Sequence, residues 1–188
     1  PVPSLLRGFS APVKLDITRS NTELELLMAN DSDSFNRWDA GQTLLINTLL
    51  GLVSNVQLQQ PLSLSKVLIE QFSTLLSNTT MDPALLATML TLPSENYLAA
   101  QMSIADVDAI HTARQFMKQS LAYGLKQEFS EVYQQQNTTG SYQFNSVDMA
   151  KRSLKNVCLS YLMVTDDPMQ TQRCLKQMKQ SDNMTDTI

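Results

Sequence analysis

The sequence predicts an all-α protein, a curved array of antiparallel helices stacked as in an α-solenoid, preceded by a short N-terminal β-strand segment. Three observations carry this expectation. Apolar residues recur at three- and four-residue steps through most of the chain, the period of a helix with one buried face. Polar residues suited to capping stand at the starts of these stretches, and proline or a polar run stands at their ends. Glycine is scarce, five in 188 residues, while methionine numbers ten, a composition that suits helices packed on helices.

Residues 1–17 depart from the helical pattern. Pro1, Pro3, Gly8 and Pro12 punctuate them, and Val13-Lys14-Leu15-Asp16-Ile17 alternates in the manner of a strand. Proline is tolerated there only at an edge or a bend. One or two strands have no independent stability, so their partners are expected upstream. The chain opens on Pro1 rather than methionine and ends at Thr187-Ile188 within a helical-looking stretch, which predicts a piece of a longer polypeptide. Two segments are therefore expected: 1–17, extended, and 18–188, helical and truncated at its C-terminus.

A first helix is predicted from about Thr22 to Ala29, capped by Asn21, with Leu24, Leu27 and Met28 on one face. Asp33 and Ser34 then cap a helix over Phe35–Val56, in which Trp38, Leu45, Leu49, Leu52, Val53 and Val56 share a side. Burial of Phe35 and Trp38 is expected to dominate the local energetics. A third helix spans roughly Lys66–Leu76, with Val67, Leu68, Phe72, Leu75 and Leu76 inward. Asp82-Pro83 opens the next, a cap followed by proline at the first helical position, and Pro93 ends it. Ser94–Ile104 reads as a short helix and a connection.

From Asp106 the pattern Val107, Ile110, Met117, Leu121, Leu125, Phe129, Val132 predicts one helix of about 30 residues, ~45 Å long. Gly124 within it marks a close helix contact. Asn145 or Ser146 caps a helix to about Val164, with Met149, Leu154, Val157, Cys158, Tyr161 and Leu162 inward. A last helix runs from Met169 through Met178. Seven or eight helices without a strict repeat length fit a stacked array better than a four-helix bundle.

Composition excludes several functions. The formal charge of −4 is spread along the chain with no basic stripe, which argues against nucleic acid. No apolar run approaches the ~20 residues of a membrane span, and no signal peptide is visible. Cys158 and Cys174 are expected to be free, buried or half-buried thiols, as suits a reducing compartment. The four N-x-S/T sequons, at Asn30, Asn78, Asn137 and Asn183, read as coincidence in a chain rich in these residues.

Chemistry is equally sparse. A zinc peptidase needs two imidazoles one helical turn apart, and His111 is the single histidine. No serine lies in G-x-S-x-G, neither cysteine has an activating context, and no glycine-rich phosphate loop exists. The pairs Asp31/Asp33, Asp106/Asp108 and Asp166/Asp167 stand at helix starts, where negative charge is favoured, and are expected to cap. Lys151, Arg152 and Lys155, then Arg173, Lys176 and Lys179, are expected to form solvated basic faces, with docking to an acidic neighbour the sharper alternative. No catalytic, cofactor-binding or metal-ligating residue is assigned.

One string is specific. Residues 1–13, PVPSLLRGFSAPV, resemble the bacterial aminopeptidase N family of zinc metallo-aminopeptidases. Similarity continues, in the family's order, at 35–40 (FNRWDA), 60–64 (QPLSL), 82–85 (DPAL), 90–94 (LTLPS), 148–159 (DMAKRSLKNVCL) and 182–186 (DNMTD). The resemblance implies that residues 1–17 end a β-sandwich module and that the remainder forms the first half of a C-terminal helical domain. It further implies a cytoplasmic parent enzyme that removes single residues from peptide N-termini with one zinc ion, held by H-E-x-x-H and a distant glutamate. A G-x-M-E-N element holds the substrate amine in such enzymes. Neither motif is in this chain, so no cofactor is expected here.

The expected function is then a non-catalytic part of the helical cover that limits access to a zinc site elsewhere. Its partners are the upstream catalytic and β-sandwich domains and, through them, peptide substrates. An alternative is an autonomous helical-repeat scaffold that binds a peptide or protein in its concave face. Some self-association is expected, because a cut solenoid exposes an apolar flank.

Overall fold

A computed structural model of the chain describes residues 2–9, 13, 15–137 and 142–187. Among these the chain forms ten α-helices: α1 (Asn21–Asn30), α2 (Ser34–Gln57), α3 (Lys66–Leu76), α4 (Pro83–Leu90), α5 (Glu95–Ala100), α6 (Val107–Gly124), α7 (Lys126–Gln135), α8 (Ser146–Leu162), α9 (Pro168–Gln180) and α10 (Met184–Thr187). The all-α expectation holds. The strand expected in 1–17 is not seen among the described residues of that segment, which carry only a 3-10 turn at Arg7–Phe9. A lone strand has no neighbour to satisfy its backbone groups. Pro1, residues 10–12 and Lys14 lie outside the described residues.

The helix starts follow the caps. At α1 the cap is Ser20, one residue before the predicted Asn21: its hydroxyl accepts from the Glu23 amide at 3.3 Å, and the Glu23 carboxylate accepts from the Ser20 amide at 2.9 Å. Asp33 accepts from the Phe35 and Asn36 amides, both at 3.0 Å, and opens α2. Asp82 does the same for α4, with Pro83 in the first turn, and Asn145 for α8.

The chain divides into two compact units. The first comprises Pro1–Ser63 and Leu92–Arg114, the second Leu64–Thr91 and Gln115–Ile188. In the first unit α1 and α2 form an antiparallel hairpin. Asn47 in the middle of α2 reaches Asn21 at 3.4 Å, while Arg37 in its first turn donates to the Met28 carbonyl at 3.1 Å. Gly41 faces α1: a β-carbon there would stand 3.4 Å from the Met28 side chain, at the near edge of ordinary contact. Leu45, Leu49, Leu52 and Val53 are buried as predicted, joined by Ala40 and Leu44. Trp38 is only half-buried and Phe35 is 39% exposed, the two rings tilted together at 5.6 Å. Burial of this pair therefore does not dominate the region; the leucine stripe of α2 does.

In the second unit α8 packs against α4 and α7. Tyr161 of α8 stacks on Phe129 of α7 with centroids 4.4 Å apart, and its hydroxyl donates to the Leu90 carbonyl at the end of α4, 2.7 Å away. The Lys118 ammonium lies 5.8 Å from the same ring. The helix predicted as continuous from Asp106 is broken at Leu125 (φ −126, ψ 28), so α6 and α7 are separate. The Leu125 amide still bonds to Leu121 O at 2.9 Å, and its carbonyl accepts from Phe129 N at 3.0 Å. The preceding Gly124 weakens helical propensity where the axis bends. It does face another helix, since its β-carbon would meet Ile69 of α3 at 3.5 Å, an ordinary contact.

Val67, Met149 and Val107 are exposed rather than inward. The buried sets of α3 (Leu68, Phe72, Leu75, Leu76) and α8 (Ala150, Leu154, Cys158, Tyr161, Leu162) are phased one position away from Val67 and Met149. Val107 stands in the first turn of α6, and the packed face begins at Ala109 and Ile110.

Tyr161→Phe removes the hydroxyl that donates to the Leu90 carbonyl while keeping the ring stack. The expected loss is about 1–3 kcal/mol of stability, the cost of a buried carbonyl left unpaired. Chemical denaturation of the variant and the parent chain checks it.

Candidate functional site

Two polar constellations stand out, one in each unit. In the first, the N-terminal segment is latched to the α1–α2 junction. Asn36 of α2 donates to the Ser4 hydroxyl and the Leu5 carbonyl, both at 2.9 Å. The Gly8 amide donates to Asp33 at 3.0 Å, and Arg7 bonds to the Ser32 hydroxyl and lies 3.9 Å from Asp31. Gly8 has φ +63, a left-handed conformation that glycine adopts without cost. Burial pushes the Asp31 carboxyl upward, but the Ser4 hydroxyl, the Asp33 amide and Arg7 together hold it below the usual range. Asp33 is also held low, by the Asn36 and Gly8 amides. The string at 1–13 and the string at 35–40 are thus in direct contact.

In the second unit an open groove of about 860 Å³ runs among α7, α8, α9 and α10. Its floor corrects a prediction. Arg152 and Lys155, expected on a solvated basic face, are 4% and 6% exposed, and Lys151 is half-buried. Arg173 on α9 is also half-buried, while Lys176 and Lys179 are exposed as expected. Arg152 and Lys155 fall seven and four residues before Leu159, and so within the apolar stripe of α8; helix phase carried a signal that residue type obscured.

Lys155 makes an ion pair with Asp186 of α10 at 2.9 Å, each side chain less than a tenth exposed. Asn156 donates to the Thr185 carbonyl at 2.7 Å, and Gln177 of α9 bridges Asn156 at 2.8 Å and the Asp186 carbonyl at 3.2 Å. The Tyr133 hydroxyl donates to Gln177 at 2.9 Å with the Arg173 guanidinium over its ring. The strings 148–159 and 182–186, far apart in sequence, meet here. Asn183 is a cap for the short α10, accepting from the Asp186 amide at 3.0 Å.

The remaining candidates fill structural places. His111 lies exposed on α6, 2.9 Å from Glu95. Cys158 is buried and its thiol is pushed up to about 12 by that burial, so it is unreactive at neutral pH. Cys174 is free and half-buried. Asp106 caps α6 through the Ala109 amide and takes a bond from Gln57, the two contacts that hold its carboxyl low. Asp167 caps α9 and pairs with Lys126 at 2.8 Å. Asp166 instead occupies a left-handed position between α8 and α9. Among the described residues no three His, Cys, Asp or Glu side chains gather to hold a metal, so the residues present do not fit a zinc site. No helix among them is long and apolar enough to cross a membrane.

These features define a helical-repeat domain with a latched N-terminal segment and a polar groove. The chain belongs to the family described as "Domain of unknown function (DUF3458_C) ARM repeats", whose model matches residues 21–188. Its whole length aligns with aminopeptidase N of Escherichia coli K12 at 38% identity and of Haemophilus influenzae at 35%, covering 22% and 21% of those proteins. Caulobacter vibrioides aminopeptidase N aligns at 31%, again over 21% of its length. The crystal structure of Legionella pneumophila aminopeptidase A in complex with aspartic acid superposes with a TM-score of 0.81 at 30% identity, over all of this chain and 22% of that one. The chain thus spans about a fifth of the length of the relatives it matches, and corresponds to a C-terminal, helical portion of them.

Two outcomes are expected. Lys155→Met leaves Asp186 buried and unpaired, costing about 3–5 kcal/mol, and the double variant Lys155→Met/Asp186→Leu recovers most of that loss in denaturant melts. The Lys126 ammonium, then the Met169 amide, lower the Asp167 pKa to about 2 from an ordinary 3.8, so its ionised form favours the folded state above pH 4. That contribution is lost as pH falls from 4 through 2. The stability difference between the parent chain and Asp167→Asn, which keeps a capping oxygen, therefore narrows over that range in pH-dependent thermal melts.

Proposed function

We propose that this chain is part of the cover of a zinc aminopeptidase, a helical wall that restricts which peptides reach a catalytic centre carried elsewhere in the polypeptide. The observation that carries the reading is the alignment of the whole chain with bacterial aminopeptidases N. Its mechanism is steric and organisational: rigid packed helices narrow access and brace the catalytic domain. On this reading residues 1–17 are the end of a preceding β-sandwich module and 18–188 belong to the helical domain. The Asn36, Asp33 and Asp31 latch supports that division, since it ties the one to the first hairpin of the other. The enzyme's zinc, its peptide substrates and its cytoplasmic setting are parts of the same proposal. The free thiols of Cys158 and Cys174 suit a reducing compartment.

The test uses aminoacyl chromogenic substrates with zinc. The chain alone is expected to release nothing, and the polypeptide restored with its upstream sequence is expected to hydrolyse them. The restored polypeptide should also trim short peptides while sparing a folded protein with an accessible N-terminal residue. Turnover by the chain alone, or equal cleavage of short peptides and folded proteins, would remove the cover reading.

A further inference from the structure

The groove of the second unit holds an unresolved charge. Five cationic side chains line it, Lys151, Arg152, Lys155, Arg173 and Lys176, against the carboxylates of Asp148, Asp182 and Asp186, in a chain whose formal charge is −4. Lys155 is committed to Asp186, and Arg173 to Tyr133 and the Ser130 hydroxyl. Asp148 is engaged by Asn145, and Asp182 accepts from the Tyr142 amide at 2.7 Å.

Arg152 is held less firmly. It is 4% exposed, and its Nε has no hydrogen-bond partner. Its Nη2 reaches the Gln143 carbonyl only at 3.4 Å, and its guanidinium lies 4.8 Å from the centre of the Tyr142 ring. Among the described residues no carboxylate lies within salt-bridge distance of it, although Asp182, whose carboxyl is held low chiefly by the Tyr142 amide, also feels the Arg152 charge. A buried cation is costly unless a carboxylate shares its bidentate fork, and stacking on tyrosine supplies only part of that compensation. The rest of the lining consists largely of primary amides, among them Gln134, Gln143, Gln172 and Gln180. An amide both donates and accepts, as the backbone of an extended peptide requires.

We propose that this groove binds an acidic peptide segment, one carboxylate side chain engaging Arg152 and the amides of the lining meeting the segment's backbone. Lys151 and Lys176 extend the positive field along the groove, and that field attracts the segment before contact. The proposal concerns binding alone and is independent of the cover reading.

The test is titration of the 188-residue chain with pentaglutamate by calorimetry at low and moderate salt, with pentalysine, free glutamate and inorganic phosphate as controls. Pentaglutamate is expected to saturate at one site, with affinity falling as salt rises. Arg152→Gln should weaken it about tenfold or more, and Arg152→Lys should restore only part of the loss because a point charge lacks the fork. If thermal melts show that the Arg152 variants do not fold, Lys151→Gln/Lys176→Gln carries the test, with a several-fold loss expected. No saturable binding, or equal affinity for pentalysine, would overturn the proposal. So would free glutamate or phosphate binding as tightly as the peptide, or folded variants that bind like the parent.

Discussion

The second unit depends on what Tyr161 does with the end of α4. A helix leaves its last carbonyls without internal partners, and α4, eight residues long, is almost wholly apolar and buried on most sides. Water has little access to the Leu90 carbonyl. The phenol of α8 supplies the missing donor from across the core, while its ring stacks on Phe129 of α7 and faces the Lys118 ammonium. One side chain therefore meets an electrostatic need of one helix, a packing need of a second and a charge on a third. This is why α8 lies at the centre of its unit and why its register against α4 and α7 is fixed.

The same helix buries two cations, and the two are treated differently. Lys155 is matched by Asp186, and that match pins the short α10, which is too brief to hold its own geometry. Arg152 rests on an aromatic face and a distant carbonyl. Polar groups inside a core fix register because a shifted packing would leave them unpaired. In the first unit the latch works in a similar way: Gly8, Arg7 and Asn36 hold a segment whose described residues form no strand.

Much of this was legible in the chain. Helix starts were fixed by Asp33, Asp82 and Asn145, whose side chains can satisfy free amides wherever a periodic apolar stretch follows. The face of α2 was legible from leucines at helical spacing. Other features were not, for identifiable reasons. The bend at Leu125 preserves the period on both sides, so periodicity could not reveal it. Arg152 and Lys155 carry charges that ordinarily mark a wet surface, and that residue type outweighed the helix phase placing them in the apolar stripe of α8. The strand expectation at 13–17 rested on alternation, which a segment shares whether or not a neighbour exists to pair with it.

The depth of Cys158 has a practical corollary. Its thiol is sealed on the buried face of α8 and held far from ionisation, whereas Cys174 is half-open on α9. A maleimide or disulfide reagent meets one sulfur in the native molecule and two in the unfolded chain. The second equivalent of label then counts excursions in which the packing around α8 comes apart, a clock for rare openings that the molecule already carries.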